Sequence, residues 1–295
     1  MLKHLSPSPA APARAVVIGA AGFVGKASVA ALRARGVPVT ALARADVDLL
    51  ADDAAPRLAL QLRPGDTLVV IAAKAPVKDH DMLVDNLRMM AAVCSAMAAV
   101  PPGHLVYVSS DAVYADSDAP LTEASCAQPA SLHGVMHLAR EVMLANAAKA
   151  PLCVLRPTLI YGAADPHNGY GPNRFRRLAH KGEPIVLSGD GEERRDHVCI
   201  DDVAELVARC VVHRSEGALN IATGTVTTFR AVAEQVAALA AAKPTIRSSP
   251  RSGPMPHRGY RAFDASATGS AFPDFRYTTL AAGLALSQQQ EFGNG

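Results

Sequence analysis

Residues 13–19 (ARAVVIG) form a short run of β-branched and small apolar residues ending in glycine. The glycines Gly19, Gly22 and Gly25 follow at three-residue spacing, and a helical pattern begins at Phe23. A strand that runs through such a loop into a helix leaves few folds open. The first glycine permits a tight turn, the second a close approach of an anion to backbone, and the third close packing of helix on sheet. The free N–H groups at the helix start complete a cradle for a pyrophosphate. The alternative reading is a plain structural turn.

The rest of the chain repeats the theme. Strand-like runs at 37–43, 67–73, 104–109 and 152–156 alternate with helical stretches at 46–62, 79–99 and 132–149. Such alternation predicts βαβ units and a parallel sheet with right-handed crossovers. Beyond residue 161 the pattern loosens. It predicts helices at 174–181, 201–212 and 227–242, strands at 184–188 and 219–222, and a turn-rich loop at 244–256 placed over a ligand. The expected organisation is a Rossmann-type, doubly wound α/β domain over 13–165, to which 196–224 returns. Residues 166–195 and 225–295 make a smaller substrate-binding lobe, and 1–12 a mobile tail.

Of the 295 residues 49% are hydrophobic, enough for a sizeable core, and with Trp absent that core must be aliphatic. A net charge of +2 gives no pull toward nucleic acid or membrane surfaces. No apolar run approaches the ~20 residues of a membrane span, and the first dozen residues lack the apolar stretch of a signal peptide. Five widely spaced cysteines without a CxxC pair fit a reducing, cytoplasmic setting and no zinc site. No metal is expected.

The end of the second strand commonly selects the dinucleotide. An acidic residue there bonds the ribose hydroxyls of NAD, and an arginine accommodates the 2′-phosphate of NADP. Here the chain reads Ala43-Arg44, with no carboxylate before Asp46. NADP is therefore preferred over NAD, with Arg44 on the phosphate and Asp48-Leu49 near the adenine. An ordinary surface arginine is the alternative.

The glycine spacing, the strand ending in Ala72-Ala73, and the runs Val108-Ser109-Ser110 to Tyr114, Leu155-Arg156-Pro157-Thr158 to Gly162, Gly189 to Val203 and Leu219 to Gly224 occur in one order. Together they resemble the extended short-chain dehydrogenase/reductases, the NAD-dependent epimerase/dehydratase family. The resemblance implies a nucleotide-sugar substrate and a cofactor held by Gly19, Gly22, Phe23, Val24, Gly25, Ala72 and Ala73. It also implies substrate contacts at Ser110, Asn173, Arg195 and Arg261, and a homodimer through helices 79–99 and 132–149.

One departure bears on mechanism. Family members carry Tyr-x-x-x-Lys on the helix after the fourth strand, with a Ser or Thr upstream. The matching positions here are His133 and His137, with Ser110 upstream. Spacing i, i+4 keeps both imidazoles on one helix face, ~5.4 Å apart along the axis. An imidazole with a reference pKa of ~6.5 suits proton transfer at neutral pH. The first reading is catalysis by His133 as acid/base, with His137 as orienter and ribose contact and Ser110 as hydrogen-bond donor. The others are catalysis by another group, such as Tyr161 or Lys74, a cofactor-sensing protein without turnover, and a metal site on the two histidines. The main expectation is an epimerase or ketosugar reductase working by hydride transfer.

Overall fold

In the computed structural model, residues 2–293 are described. The first is an edge strand, β1 (Lys3–His4). Then come β2 (Ala15–Ile18), α1 (Phe23–Ala34), β3 (Val39–Leu42), α2 (Ala54–Ala59), β4 (Thr67–Val70), α3 (His80–Ala99) and β5 (His104–Val108). They are followed by α4 (Leu132–Ala147), β6 (Leu152–Pro157), β7 (Leu159–Tyr161), α5 (Pro172–His180), β8 (Ile185–Ser188), β9 (Arg194–Cys199), α6 (Ile200–Val212) and β10 (Ser215–Ile221). The chain closes with β11 (Val226–Thr228), α7 (Phe229–Leu239), β12 (Ile246–Ser249), β13 (Tyr260–Arg261), α8 (Ser266–Ala271) and α9 (Leu280–Phe292).

Seven strands form the main sheet in the order β1-β10-β6-β5-β4-β2-β3. All neighbours pair in parallel except β1, which runs antiparallel to β10. Alternation along the strands sorts their side chains onto two faces. Ala15, Val17, Val69 and Val106 face one core with α1 and α6. Val16, Ile18, Leu68, Val70 and Tyr107 face the other, with α2, α3 and α4. Burial on both faces explains why these strands read as unbroken apolar runs. Strand β3 is the sheet edge, because residues 43–53 run in turns rather than as a further strand. The order reverses between β2 and β4, and there the crevice beyond the strands' carboxyl ends opens.

Several expectations need correction. Instead of lying in a mobile tail, Lys3–His4 pairs with Glu216 and Ser215, and His4 also bonds Ser215 Oγ at 2.9 Å. Helix α3 is long and apolar enough to cross a membrane on composition, contrary to the sequence reading. It packs as a core helix, with Met89, Met90, Val93 and Met97 buried against the sheet. The segment expected to arch over a ligand pairs instead as β12 with β8, Ile246 opposite Ile185. Strand β9 carries the small sheet β11-β9-β13 with β7 alongside, so the return to the main sheet begins at α6. The small sheet and helices α5, α7 and α9 enclose a separate core around Tyr161, Phe175, Phe229 and Leu284.

Candidate active site

Two cavities meet in the crevice. The first, about 530 Å³, is lined by the glycine loop Gly19, Gly22, Phe23, Val24 and Gly25, by Arg44, Asp48 and Leu49, and by Ala72 and Ala73. Every residue expected in the cofactor cradle except His137 stands on this wall.

The loop is tight for steric reasons. A Cβ on Gly25 would lie 2.0 Å from Gly19 O, and one on Gly19 would lie 2.6 Å from Ala72 N, where φ is +89°. Gly22 has more room, its nearest neighbour being Gly19 O at 3.3 Å. Helix α1 starts at Gly22 without a side-chain cap and without an acidic residue in its first turn. In contrast, α3, α4, α7 and α9 are capped by Asp79, Ser131, Thr228 and Thr279. The uncapped N–H groups of α1, with their positive dipole end, face the cavity as an anion would require. The residues present therefore fit a dinucleotide.

Arg44 is 78% exposed, and its Nη2 lies 2.9 Å from Asp48 Oδ2. Asp46 turns back to its own loop, its Oδ2 accepting from Ala43 N at 2.8 Å. The backbone N–H of Leu50 and then Arg44 hold the Asp48 carboxyl below its ordinary value.

The second cavity, about 460 Å³, shares Val24, Ala73, Ile160 and His167 with the first. Ser110, His133, His137, Asn173 and Arg195 all line it. Helix α4 brings its histidines here because Gly134 lets the helix start press on the loop after β5. A Cβ on Gly134 would sit 2.1 Å from Ala112 O. Ser110 Oγ accepts from Ala112 N at 3.2 Å and caps a short turn over Asp111–Val113. Asn173 Oδ1 accepts from Gly162 N at 3.0 Å, fixing the start of α5. Arg195 donates to Glu193 Oε1 at 3.2 Å, and its Nε has no partner.

The two imidazoles meet edge to face, ring centroids 4.7 Å apart. His137 is buried, with Nδ1 2.9 Å from the Tyr107 hydroxyl. Burial, then His133 and Arg140, hold its pKa well below the ordinary 6.5. His133 is also lowered, chiefly by burial; Asp111 opposes this and His167 adds to it. Burial pushes the Tyr107 phenol up to about 12, so it remains protonated. Beneath them Ser109 Oγ donates to Glu141 Oε1 at 2.5 Å. Glu141 is clamped by Arg156 through Nε at 3.0 Å and Nη2 at 2.6 Å. That network supports the β5–α4 junction from behind.

Arg261 is not a cavity residue. It is 1% exposed, its Nε donating to Asp111 Oδ2 at 2.9 Å and its Nη1 lying 3.4 Å from Asp116 Oδ1. Two carboxylates within one fork's reach explain why it turns inward. Of the alternative acid/base groups, Tyr161 is buried against Gly283 and lines neither cavity. Lys74 lines the first cavity, its Nζ 2.6 Å from Asp85 Oδ2.

The sequence reading missed Asp111, Asp165, His167, His197 and His257, all on the second cavity's wall. Five of the ten histidines thus line one cavity. His197 is pushed down to about 3 by burial and then by Arg195. Loop residues such as His167 and His257 carry no periodic signal; His197 lay in a segment not recognised as a strand. Among the described residues no group of three or more His, Cys, Asp or Glu side chains converges as a metal site.

Comparison with known proteins agrees with this architecture. Residues 15–222 match the model of the NAD dependent epimerase/dehydratase family. A dTDP-L-rhamnose 4-epimerase of Burkholderia thailandensis is 32% identical over 139 residues, a match spanning 44% of this chain and 38% of that protein. The solved structure of UDP-glucose 4-epimerase from Thermotoga maritima with UDP-glucose superposes with a TM-score of 0.83 at 21% identity, covering 95% of this chain and 99% of that one. That of a GDP-L-fucose synthetase from Naegleria fowleri bound to NADP gives 0.83 at 16%, covering 99% and 97%. At those identities the superpositions speak for the fold. The matched span, from the first strand of the cradle to the last strand of the main sheet, places the chain in the NAD dependent epimerase/dehydratase family.

Proposed function

We propose that the protein is an NAD(P)-dependent epimerase or ketosugar reductase acting on a nucleotide-activated sugar. The observation that carries the reading is the junction of the two cavities. The dinucleotide cradle opens across Ala73, Ile160 and His167 into a cavity where His133, His137 and Ser110 share a wall with Arg195. The relatives named for sugar-nucleotide chemistry support it.

When bound, the dinucleotide supplies nicotinamide C4 as hydride donor or acceptor. His133, neutral at pH 7, takes the proton of a sugar hydroxyl as its carbon is oxidised, or gives one to the oxygen as the carbonyl is reduced. Asp111 beside it favours the imidazolium so formed. Ser110 donates to the same sugar oxygen. His137, with Nδ1 engaged by Tyr107, presents Nε2 to the ribose. Arg195 binds the sugar-linked diphosphate, for which a guanidinium fork is suited. Arg44 meets the 2′-phosphate of NADP, which makes NADP the preferred cofactor. Exposed Val84 on α3 and Val135 and Val142 on α4 form the seam of a homodimer.

The test is incubation with NADP(H) or NAD(H) and a panel of UDP-, GDP- and dTDP-sugars, following nicotinamide absorbance and sugar configuration. Turnover on one class that is lost in His133→Ala is the expected result. Tight dinucleotide binding without turnover on any sugar would overturn it in favour of a cofactor-sensing protein.

A further inference from the structure

Arg140 stands three residues beyond His137 and seven beyond His133, on the same face of α4. It is 0% exposed, one of three fully enclosed arginines with Arg176 and Arg261 among the described residues. Among the described residues its guanidinium makes no ion pair. Nη2 donates to Ala72 O at 2.7 Å, Nη1 lies 3.7 Å from Met136 Sδ, and Nε has no partner. Its Cζ lies 5.3 Å from the centroid of the Tyr107 ring. A buried cation without a counterion is costly, so a reason for its retention is worth seeking.

The surroundings suggest one. Arg140 meets the Ala72 carbonyl beyond β4, Tyr107 on β5, Cys94 on α3, and His137 on its own helix. None of these is an anion at neutral pH. His137 in turn faces Tyr107, His133 and Arg140, and His133 faces Asp111 and His167. Two carboxylates border this chain of groups, and both are already paired, Asp111 with Arg261 and Glu141 with Arg156. Unlike Arg156 and Arg261, Arg140 has no carboxylate partner among the described residues.

We propose that Arg140 is a positioning residue: set one turn from His137 on α4 and over the Tyr107 ring, its buried charge keeps His137 a neutral donor toward the cavity. Tyr107 transmits the orientation. With no other partner for its hydroxyl among the described residues, it donates to His137 Nδ1 and leaves the ring proton on Nε2. The Ala72 bond ties the same guanidinium to the wall of the dinucleotide cradle. One residue thereby couples the cradle to the protonation state of the helix that faces it. The proposal rests on reading α4 as the catalytic helix, and its test is chosen to stand apart from turnover.

The experiment follows the imidazole signals of the whole, ligand-free protein by NMR with labelled histidine, in the wild type and in Arg140→Met and Arg140→Lys. Expected is a His137 midpoint that rises measurably in R140M and stays near the wild-type value in R140K. A purely structural role for Arg140 would not separate the two variants in this way. A His137 titration unchanged in folded R140M would overturn the proposal. In case R140M does not fold, Tyr107→Phe probes the same link: the His137 carbon shifts should report loss of the Nε2–H tautomer, and an unaltered tautomer would equally overturn it. Should no sugar be turned over by the wild type, the enzymatic reading fails while the titration still decides the role of Arg140.

Discussion

His133 and His137 stand one turn apart on α4 with their rings edge to face at 4.7 Å, yet they face different groups. His137 is tied to Tyr107 and lies next to Arg140, whereas His133 looks toward Asp111 and His167. Two adjacent imidazoles resist double protonation, so unlike surroundings decide which one accepts the proton.

This division sets the pH dependence of turnover. His133 is lowered from 6.5, so its basic form is already dominant at neutral pH. In the sugar-oxidising direction kcat/KM should rise with pH through an apparent pKa below 6.5 and level off before pH 7. His133→Ala should lower kcat by roughly 10²-fold or more with dinucleotide affinity kept. A profile still rising above pH 8 would move the proton transfer to another group.

The glycine loop separates folding from binding at neighbouring positions. Gly25→Ala forces a Cβ to 2.0 Å from Gly19 O, a backbone atom that cannot yield locally, so melting temperature should fall sharply. Gly22→Ala meets Gly19 O at 3.3 Å and should fold. Its methyl group would still obstruct the close approach of a pyrophosphate, weakening dinucleotide binding by about tenfold or more. Calorimetry of both variants with titration of NADP checks the contrast; equal losses of stability would refute it.

The Arg44–Asp48 pair should compete with the 2′-phosphate. An exposed pair of this kind is held only weakly, so the competition is mild. Arg44→Ala should weaken NADPH by about tenfold and hardly affect NADH. Asp48→Asn should strengthen NADPH by a few-fold. Binding of both cofactors to both variants, measured at fixed salt, decides this, and parallel losses for NADH and NADPH would end the NADP assignment.

Buried neutral histidines should make the fold acid-sensitive. Burial holds His104 at about 4 and His197 at about 3, against 6.5 when unfolded. Below pH 6.5 the unfolded chain therefore takes up protons that the folded chain refuses. Their contribution is complete above about pH 6.5 and shrinks toward pH 4, on the order of 3 kcal/mol for His104. Asp196, raised to about 6 by burial, works in the opposite sense, because the folded chain keeps its proton longer. Two larger displacements outweigh one, so the melting temperature should drop between pH 7 and pH 4.5. His104→Gln should flatten that slope; an unchanged slope would exclude His104 as its source.

The local pattern of residues determined most of the cradle. Alternating buried strands and the spacing of Gly19, Gly22 and Gly25 are consequences of backbone sterics and strand periodicity, which act over a few residues. With the second-strand rule for Arg44 and Asp48 and the family resemblance for Ala72 and Ala73, the sequence placed four more residues on the wall they line. The i, i+4 relation of His133 and His137 was equally legible, because helix geometry alone sets it. Tertiary structure decided everything that depended on residues distant in the chain. Arg261 turns inward because Asp111, 150 positions away, meets its Nε. Lys3–His4 is held because β10 offers an open edge. The protonation of the α4 histidines is set first by burial, then by His133 and Arg140 around His137 and by Asp111 and His167 around His133. Burial and charge at a point in space depend on what the fold assembles there, and that information is absent from any single segment.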